Sequence, residues 1–177
     1  MIETLITSKT RVKLLVKFFL NPETSSYLRE LATDLEENTN AIRVELNRLT
    51  EANILLSQRD GNRVFYCANR EHTFFQDLRS IVTKYTGLDR LLDEVVGYLG
   101  DLQRVYVVGD YANGHDSGNI ELLMTGDVKL NYLSNLIERM ESEISRKIKC
   151  SAMTPEEAAV FLENKENMAF LIYDAEH

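Results

Sequence analysis

Amide and guanidinium side chains recur at helical spacing in one stretch of this chain, and these are residue types that read nucleic acid. Asn40, Arg43 and Asn47 stand at i, i+3 and i+7, a spacing that shares one helix face. An arginine offers two parallel donors that match guanine O6 and N7, while an asparagine amide pairs with adenine. Thr39 precedes them, where the free backbone N–H groups of a helix start attract phosphate. Arg48 is a further candidate for the sugar-phosphate backbone. Arg59 and Arg63 bracket Asp60-Gly61-Asn62, and from a tight turn they would reach phosphates or the minor groove. Glu45 and Glu51 lie on the same helix and are expected to repel phosphate, so only its N-terminal half is expected to enter a groove.

Other residues carry chemistry in principle. His115 beside Asp116 suggests a general base, but a lone loop histidine ordinarily faces solvent. Asp116 before Ser117-Gly118 reads as a turn residue. His72 stands just before a helix and needs no function. Cys67 and Cys150 are far apart in no metal-like spacing, and both sit in strand-like apolar runs. They are expected to be buried thiols of a cytoplasmic protein. No metal and no cofactor are expected.

The elements that must position these groups follow from apolar periodicity. Val12, Leu15, Val16 and Phe19 form a helical stripe, and Asn21-Pro22 ends that helix because the residue before proline leaves the α region. Ser25 or Ser26 is expected to cap a second helix with Leu28, Leu31, Ala32 and Leu35 inward. A polar turn at Glu36-Glu37-Asn38 leads to a third helix, about 39–52, with Ile42, Leu46 and Leu49 on the inner face. Two β-prone runs around a glycine turn then read as a hairpin, 55–59 with 63–67. Three helices followed by a hairpin predict a winged helix-turn-helix over residues 1–70.

Residues 71–100 read as connecting or dimerisation helices. Phe74, Ile81, Leu88 and Val95 recur every seven residues, as do Leu78, Tyr85, Leu92 and Leu99, the pattern of a helix–helix seam. Gly87 divides the stretch into helices at about 73–86 and 88–99. A homodimer seam through residues 74–99 and packing within one chain are both open at this point. Residues 101–177 alternate strand, loop, strand, helix, strand, short helix and strand, a small α/β domain. The short helix carries a capping box, Thr154 with Glu157, and Pro155 at its first position. The expected class is therefore α+β.

Charge is divided unevenly. The net charge is -8, but residues 1–70 hold ten Lys/Arg against nine Asp/Glu, and residues 71–177 hold ten against nineteen. The acidity belongs to the second half, and the first can meet nucleic acid if its cations share a face. No apolar run approaches the twenty residues of a membrane span, and the N-terminal segment lacks the apolar core of a signal peptide.

Within residues 28–68, LRELATDLEENTNAIRVELNRLTEANILLSQRDGNRVFY resembles the winged-helix domains of ArsR- and MarR-type bacterial repressors. From Asn69 onward, NREHTFFQDLRSIVTKYTGLDRLL, VYVVGDYANGHDSGNIELLMTGD and RKIKCSAMTPEEAAVFL resemble a family that joins such a domain to a minimal nucleotidyltransferase-like domain. The resemblance implies a transcriptional regulator with double-stranded DNA as partner. Active nucleotidyltransferases of that kind carry Gly-Ser after the first strand, Asp-x-Asp on the second and a third acid later, which together hold two Mg²⁺ ions. Here the matching positions are Gly109-Asp110, Asn119-Ile120-Glu121 and Lys149, so a degenerate pocket without catalysis is expected. A nucleotide or nucleotide-sugar ligand bound without turnover, and nucleotidyl transfer to a protein or small acceptor, are the alternatives.

Overall fold

A computed structural model describes residues 6–98, 102–126, 128, 133–164 and 168–176. The chain divides into two compact units, residues 1–85 and 86–177, in a mixed α+β architecture with two separate sheets. The boundary falls between Tyr85 and Thr86, inside the stretch read from sequence as a single connector.

The first unit begins with helix α1, Lys9–Leu20, capped by Ser8, whose side chain accepts from the Arg11 N–H. Its apolar stripe is deeply buried, with Leu14, Phe18, Phe19 and Leu20 fully covered. Strand β1, Ser25–Tyr27, follows directly. The expectation of a serine cap there is corrected: Ser25 pairs with Cys67 in a sheet, and helix α2, Leu28–Asp34, starts after Tyr27. Glu30 makes that start possible, because its carboxylate accepts from the Tyr27 N–H at 3.3 Å and from the Ser26 hydroxyl at 2.7 Å. Helix α3, Thr39–Glu51, is capped by Asn38 and buries Ile42, Leu46 and Leu49. Strands β2, Leu55–Asp60, and β3, Arg63–Ala68, complete an antiparallel sheet of order β1-β3-β2. The hairpin places positive φ at Gly61, +55°, the first of its two loop positions, as a type II′ turn requires.

Helix α4, Phe75–Thr86, packs Phe75 and Val82 inward, with the Phe75 ring 5.6 Å from that of Phe19. Helix α5, Leu88–Tyr98, opens the second unit. Strand β4, Leu102–Val108, runs into a short helix α6, Gly109–Ala112, where the sequence suggested loop throughout. Strand β5, Asn119–Gly126, helix α7, Ser134–Ile144, strand β6, Lys147–Met153, helix α8, Pro155–Glu163, and strand β7, Ala169–Asp174, follow. The sheet order is β6-β5-β4-β7, parallel between β5 and β6 and antiparallel elsewhere. Along β5, Ile120, Leu122 and Met124 are buried on one face, while Leu123 on the other packs with Val108 and Ala158 of α8.

Gly87 separates α4 from α5 at φ +80°. A Cβ there would lie 2.7 Å from Ile144 of α7, so this turn requires glycine both for its backbone and for the close approach. The seven-residue seam changes character at this point. Phe74 and Ile81 are 62% and 47% exposed, whereas Leu88 and Val95 are buried. A continuous seam over 74–99 is therefore corrected: its second half is already used within the chain. Leu99 lies outside the described residues.

Candidate nucleic-acid interface

Helix α3 presents two faces of opposite chemistry. Thr39, Asn40, Arg43, Asn47 and Arg48 are all exposed, as are Arg59 and Arg63 on the hairpin. The seven side chains named from sequence thus lie on the surface of one unit, five along α3 and two at the hairpin turn. Asn38 takes the Asn40 N–H at 2.8 Å, which leaves the neighbouring N–H groups of the first turn without intrahelical acceptors.

Glu45 departs from expectation. It is 4% exposed, not part of the outer face, and its carboxylate accepts from Arg11 Nε of α1 at 2.7 Å and from Arg48 Nη1 at 3.1 Å. Burial favours its neutral form, but hydrogen bonds from Arg11 and Ser8 and the charges of Arg11 and Arg48 outweigh that and hold the carboxyl below its usual range. The reason is positional: two residues past Arg43, Glu45 turns toward α1. The repulsion expected from this acid is removed, and its charge is spent on orienting two cations. Glu51, at the helix end, is exposed.

The angle between α2 and α3 is braced from α1. Lys13 Nζ donates to Leu35 O and to Glu37, both at 2.8 Å, and Thr10 Oγ1 donates to Glu37 at 3.3 Å. Buried Lys17 reaches Asp34 at 3.0 Å. These contacts converge on the turn that sets how α3 projects.

On the hairpin side, the Arg63 guanidinium carbon lies 4.6 Å from the centroid of the Tyr27 ring, a cation–π arrangement. Tyr27 in turn meets the Phe65 ring edge-on at 5.6 Å. A groove of about 520 Å³ runs between α2 and the hairpin, lined by Tyr27, Arg29, Arg63 and Tyr66 among others. A second, of about 640 Å³, lies between α2 and α3 and is lined by Arg29, Thr33, Thr39 and Arg43 among others. Arg29, exposed on α2 and shared by both grooves, escaped the sequence reading. Its signal was weak: a single arginine in a short helix carries no periodic information.

In the second unit the residues of the degenerate pocket are only partly gathered. The β5–β6 register sets Glu121 opposite Lys149, and their charged groups are 3.6 Å apart. Gly109, at φ +67°, is the close neighbour on the other side: a Cβ there would stand 3.3 Å from the Glu121 carboxyl carbon. Asp110 is exposed on α6, and half-buried Asn119 donates to Ser117 O at 3.5 Å. A carboxylate already paired with a lysine, beside an amide where a second acid would be needed, does not fit a pair of divalent cations.

Asp116 accepts the Gly118 N–H at 3.3 Å, as the turn reading expects, and is also tied across the unit. Arg146 Nη2 donates to its Oδ2 at 2.5 Å, the Tyr111 hydroxyl donates to its Oδ1, and Arg146 Nε donates to the Tyr111 oxygen at 2.6 Å. Burial works against the Asp116 charge, but the Arg146 and Tyr111 bonds, the Arg146 charge and the Gly118 N–H hold the carboxyl below its usual range. Burial and the Asp116 bond push the Tyr111 hydroxyl upward. The cluster clamps the 113–118 loop to the start of β6. His115 is half-buried, with its N–H on Asp110 O at 2.9 Å. The two cysteines are free and half-buried, and burial pushes the Cys150 thiol up to about 12, which leaves it protonated at neutral pH. His72 accepts the Phe74 N–H at 3.1 Å, a local turn contact.

No helix among the described residues is long and apolar enough to cross a membrane. No family model and no curated protein matches the chain. Among solved structures, reduced HlyU from Vibrio cholerae N16961 is similar, at 17% identity and a TM-score of 0.38, covering 47% of this chain and 82% of that one. A likeness of that degree carries no argument by itself.

Proposed function

We propose that this chain is a sequence-specific DNA-binding transcriptional regulator of the cytoplasm. On this reading its first unit is a winged helix-turn-helix, and its second is a nucleotidyltransferase-like module without catalysis that serves as sensor or oligomerisation element. The observation that carries the reading is the outer face of α3, where Asn40, Arg43 and Asn47 are exposed while the nearest acid, Glu45, is withdrawn into an ion-pair network. Arg59 and Arg63 extend the same chemistry to the hairpin. The test is a gel-shift titration with the DNA upstream of the chain's own gene. A salt-sensitive, sequence-preferring complex at micromolar concentration or below is expected, and its absence would overturn the reading.

The inactive second unit is supported by the Glu121–Lys149 pair and by Asp110 and Asn119 standing where hydroxyl and carboxylate would be required. Incubation with labelled nucleoside triphosphates and Mg²⁺ or Mn²⁺ is expected to give no transfer. Transfer lost in Glu121→Gln would make the chain an enzyme. A nucleotide or nucleotide-sugar bound without turnover would couple to DNA affinity by about 1–3 kcal/mol, and a thermal-shift series with these compounds tests for it.

Dimerisation onto two half-sites fits a module with few contacts. The exposed pair Phe74, just before α4, and Ile81, within it, supports a dimer through that half of the seam. Sedimentation is expected to show dimers in the wild type and monomers in Phe74→Glu/Ile81→Glu.

A further inference from the structure

The outer face of α3 has an apolar centre that the polar residues surround. Val44 is 42% exposed. It stands four residues after Asn40 and three before Asn47, so the three form one column along the helix, with Arg43 and Arg48 on either flank. Nothing in helix formation asks for a β-branched residue on an exposed face, since valine is a weaker helix former than alanine or a charged residue. The inner face does not use it either: Ile42, Leu46 and Leu49 fill that side, and Glu45 takes the edge toward α1.

The surroundings specify the occupant. Two amides and two guanidinium groups frame the valine, the acid next in sequence is turned inward and neutralised, and the exposed Glu51 lies on this face only at the far C-terminal end of the helix. Such a frame suits a surface dense in acceptors that carries an isolated apolar group. In the major groove that group is the C5-methyl of thymine, which an apolar side chain contacts while neighbouring amides and guanidinium groups take base edges. A protein partner would require a wider apolar patch, and on α3 the one apolar side chain at neighbour spacing from Val44 is the small, half-buried Ala41.

We propose that Val44 is a specificity-determining residue that reads a thymine methyl in the DNA site; this rests on the DNA-binding reading above. Next to it, Asn40 or Asn47 would contact an adenine, which places the thymine beside a position that prefers adenine.

The test uses the full chain. Selection from a random duplex library gives its preferred duplex, in which each thymine is then replaced singly by deoxyuridine, removing only the methyl. At one thymine per half-site, this replacement should weaken wild-type binding about four-fold, the worth of one buried methyl-sized group. Val44→Ala should bind the thymine duplex more weakly by a similar factor and be indifferent to deoxyuridine at that position. Because Val44 is exposed and alanine favours helix, the variant is expected to keep the wild-type circular dichroism and melting curve. The inference is overturned if the selected duplex has no methyl-sensitive thymine, or if the sensitivity survives in Val44→Ala. If no duplex is selected, the DNA-binding reading fails and takes this inference with it, a result distinct from the other two.

Discussion

Two acids in this chain do work that their neighbours in sequence do not announce. Glu45 ties α1 to α3 through Arg11 and Arg48. Glu45→Gln is expected to destabilise the first unit by roughly 1–2 kcal/mol, less than a fully buried pair because both arginines can turn to water. Urea melts monitored by circular dichroism measure this. DNA affinity should fall as well, since Arg48 loses the contact that fixes it. Asp116 makes the matching argument in the second unit. Its carboxyl is held below its ordinary range by Arg146 and Tyr111, so the stability it contributes is complete above about pH 4 and fades as pH falls through the lower folded value. Asp116→Asn is expected to cost roughly 2–3 kcal/mol at neutral pH. The gap to the wild type should narrow as melts are repeated from pH 4 downward. A constant gap would mean that Asp116 stabilises without its charge.

Elements are decided by turns and caps as much as by stripes. Gly87 lets α4 end and α5 begin against Ile144. Gly87→Ala combines a left-handed backbone with a clash and is expected to destabilise the second unit by roughly 2–4 kcal/mol; a lower melting temperature is the readout. A double variant with Ile144→Ala should recover only the steric part. The same turn divides one of the two heptad series into exposed Phe74 and Ile81 before it and buried Leu88 and Val95 after it, while Leu78, Tyr85 and Leu92 of the other are half-buried. Periodicity alone could not show this, because it reports that a face is apolar and not which surface covers it. At the other end of the first unit, Glu30 starts α2 one residue after Tyr27, which frees Ser25–Tyr27 to become a strand and brings Tyr27 under Arg63.

For the whole molecule, the uneven charge is the relevant quantity. Binding to DNA by a chain of net charge -8 depends on cations grouped on one surface, so it should weaken steeply with salt. Arg59→Ala with Arg63→Ala is expected to reduce the slope of log K against log salt by about 2, with similar losses on all sequences. Arg43→Ala should instead cost about 1–3 kcal/mol on the preferred duplex and relax its specificity. Titrations at several salt concentrations, on preferred and scrambled duplexes, separate the two behaviours.

Sequence by itself determined the helices and strands apart from strand β1 and helix α6, the polar column on α3, the arginines around the glycine turn and, through the family resemblance, the departures at Asp110, Asn119 and Lys149. Each of these is local: helical and strand periods, capping residues and residue types can be read within a few positions. Only the tertiary structure decided which of two neighbouring charges faces out. Arg43 and Glu45 are two residues apart, and the packing of α1 against α3 buries the second. It also joined Asp116 to Arg146 across thirty positions, and showed that Val44 is left exposed amid polar neighbours. These are matters of what lies opposite a side chain, and long-range packing supplies that partner where local pattern cannot.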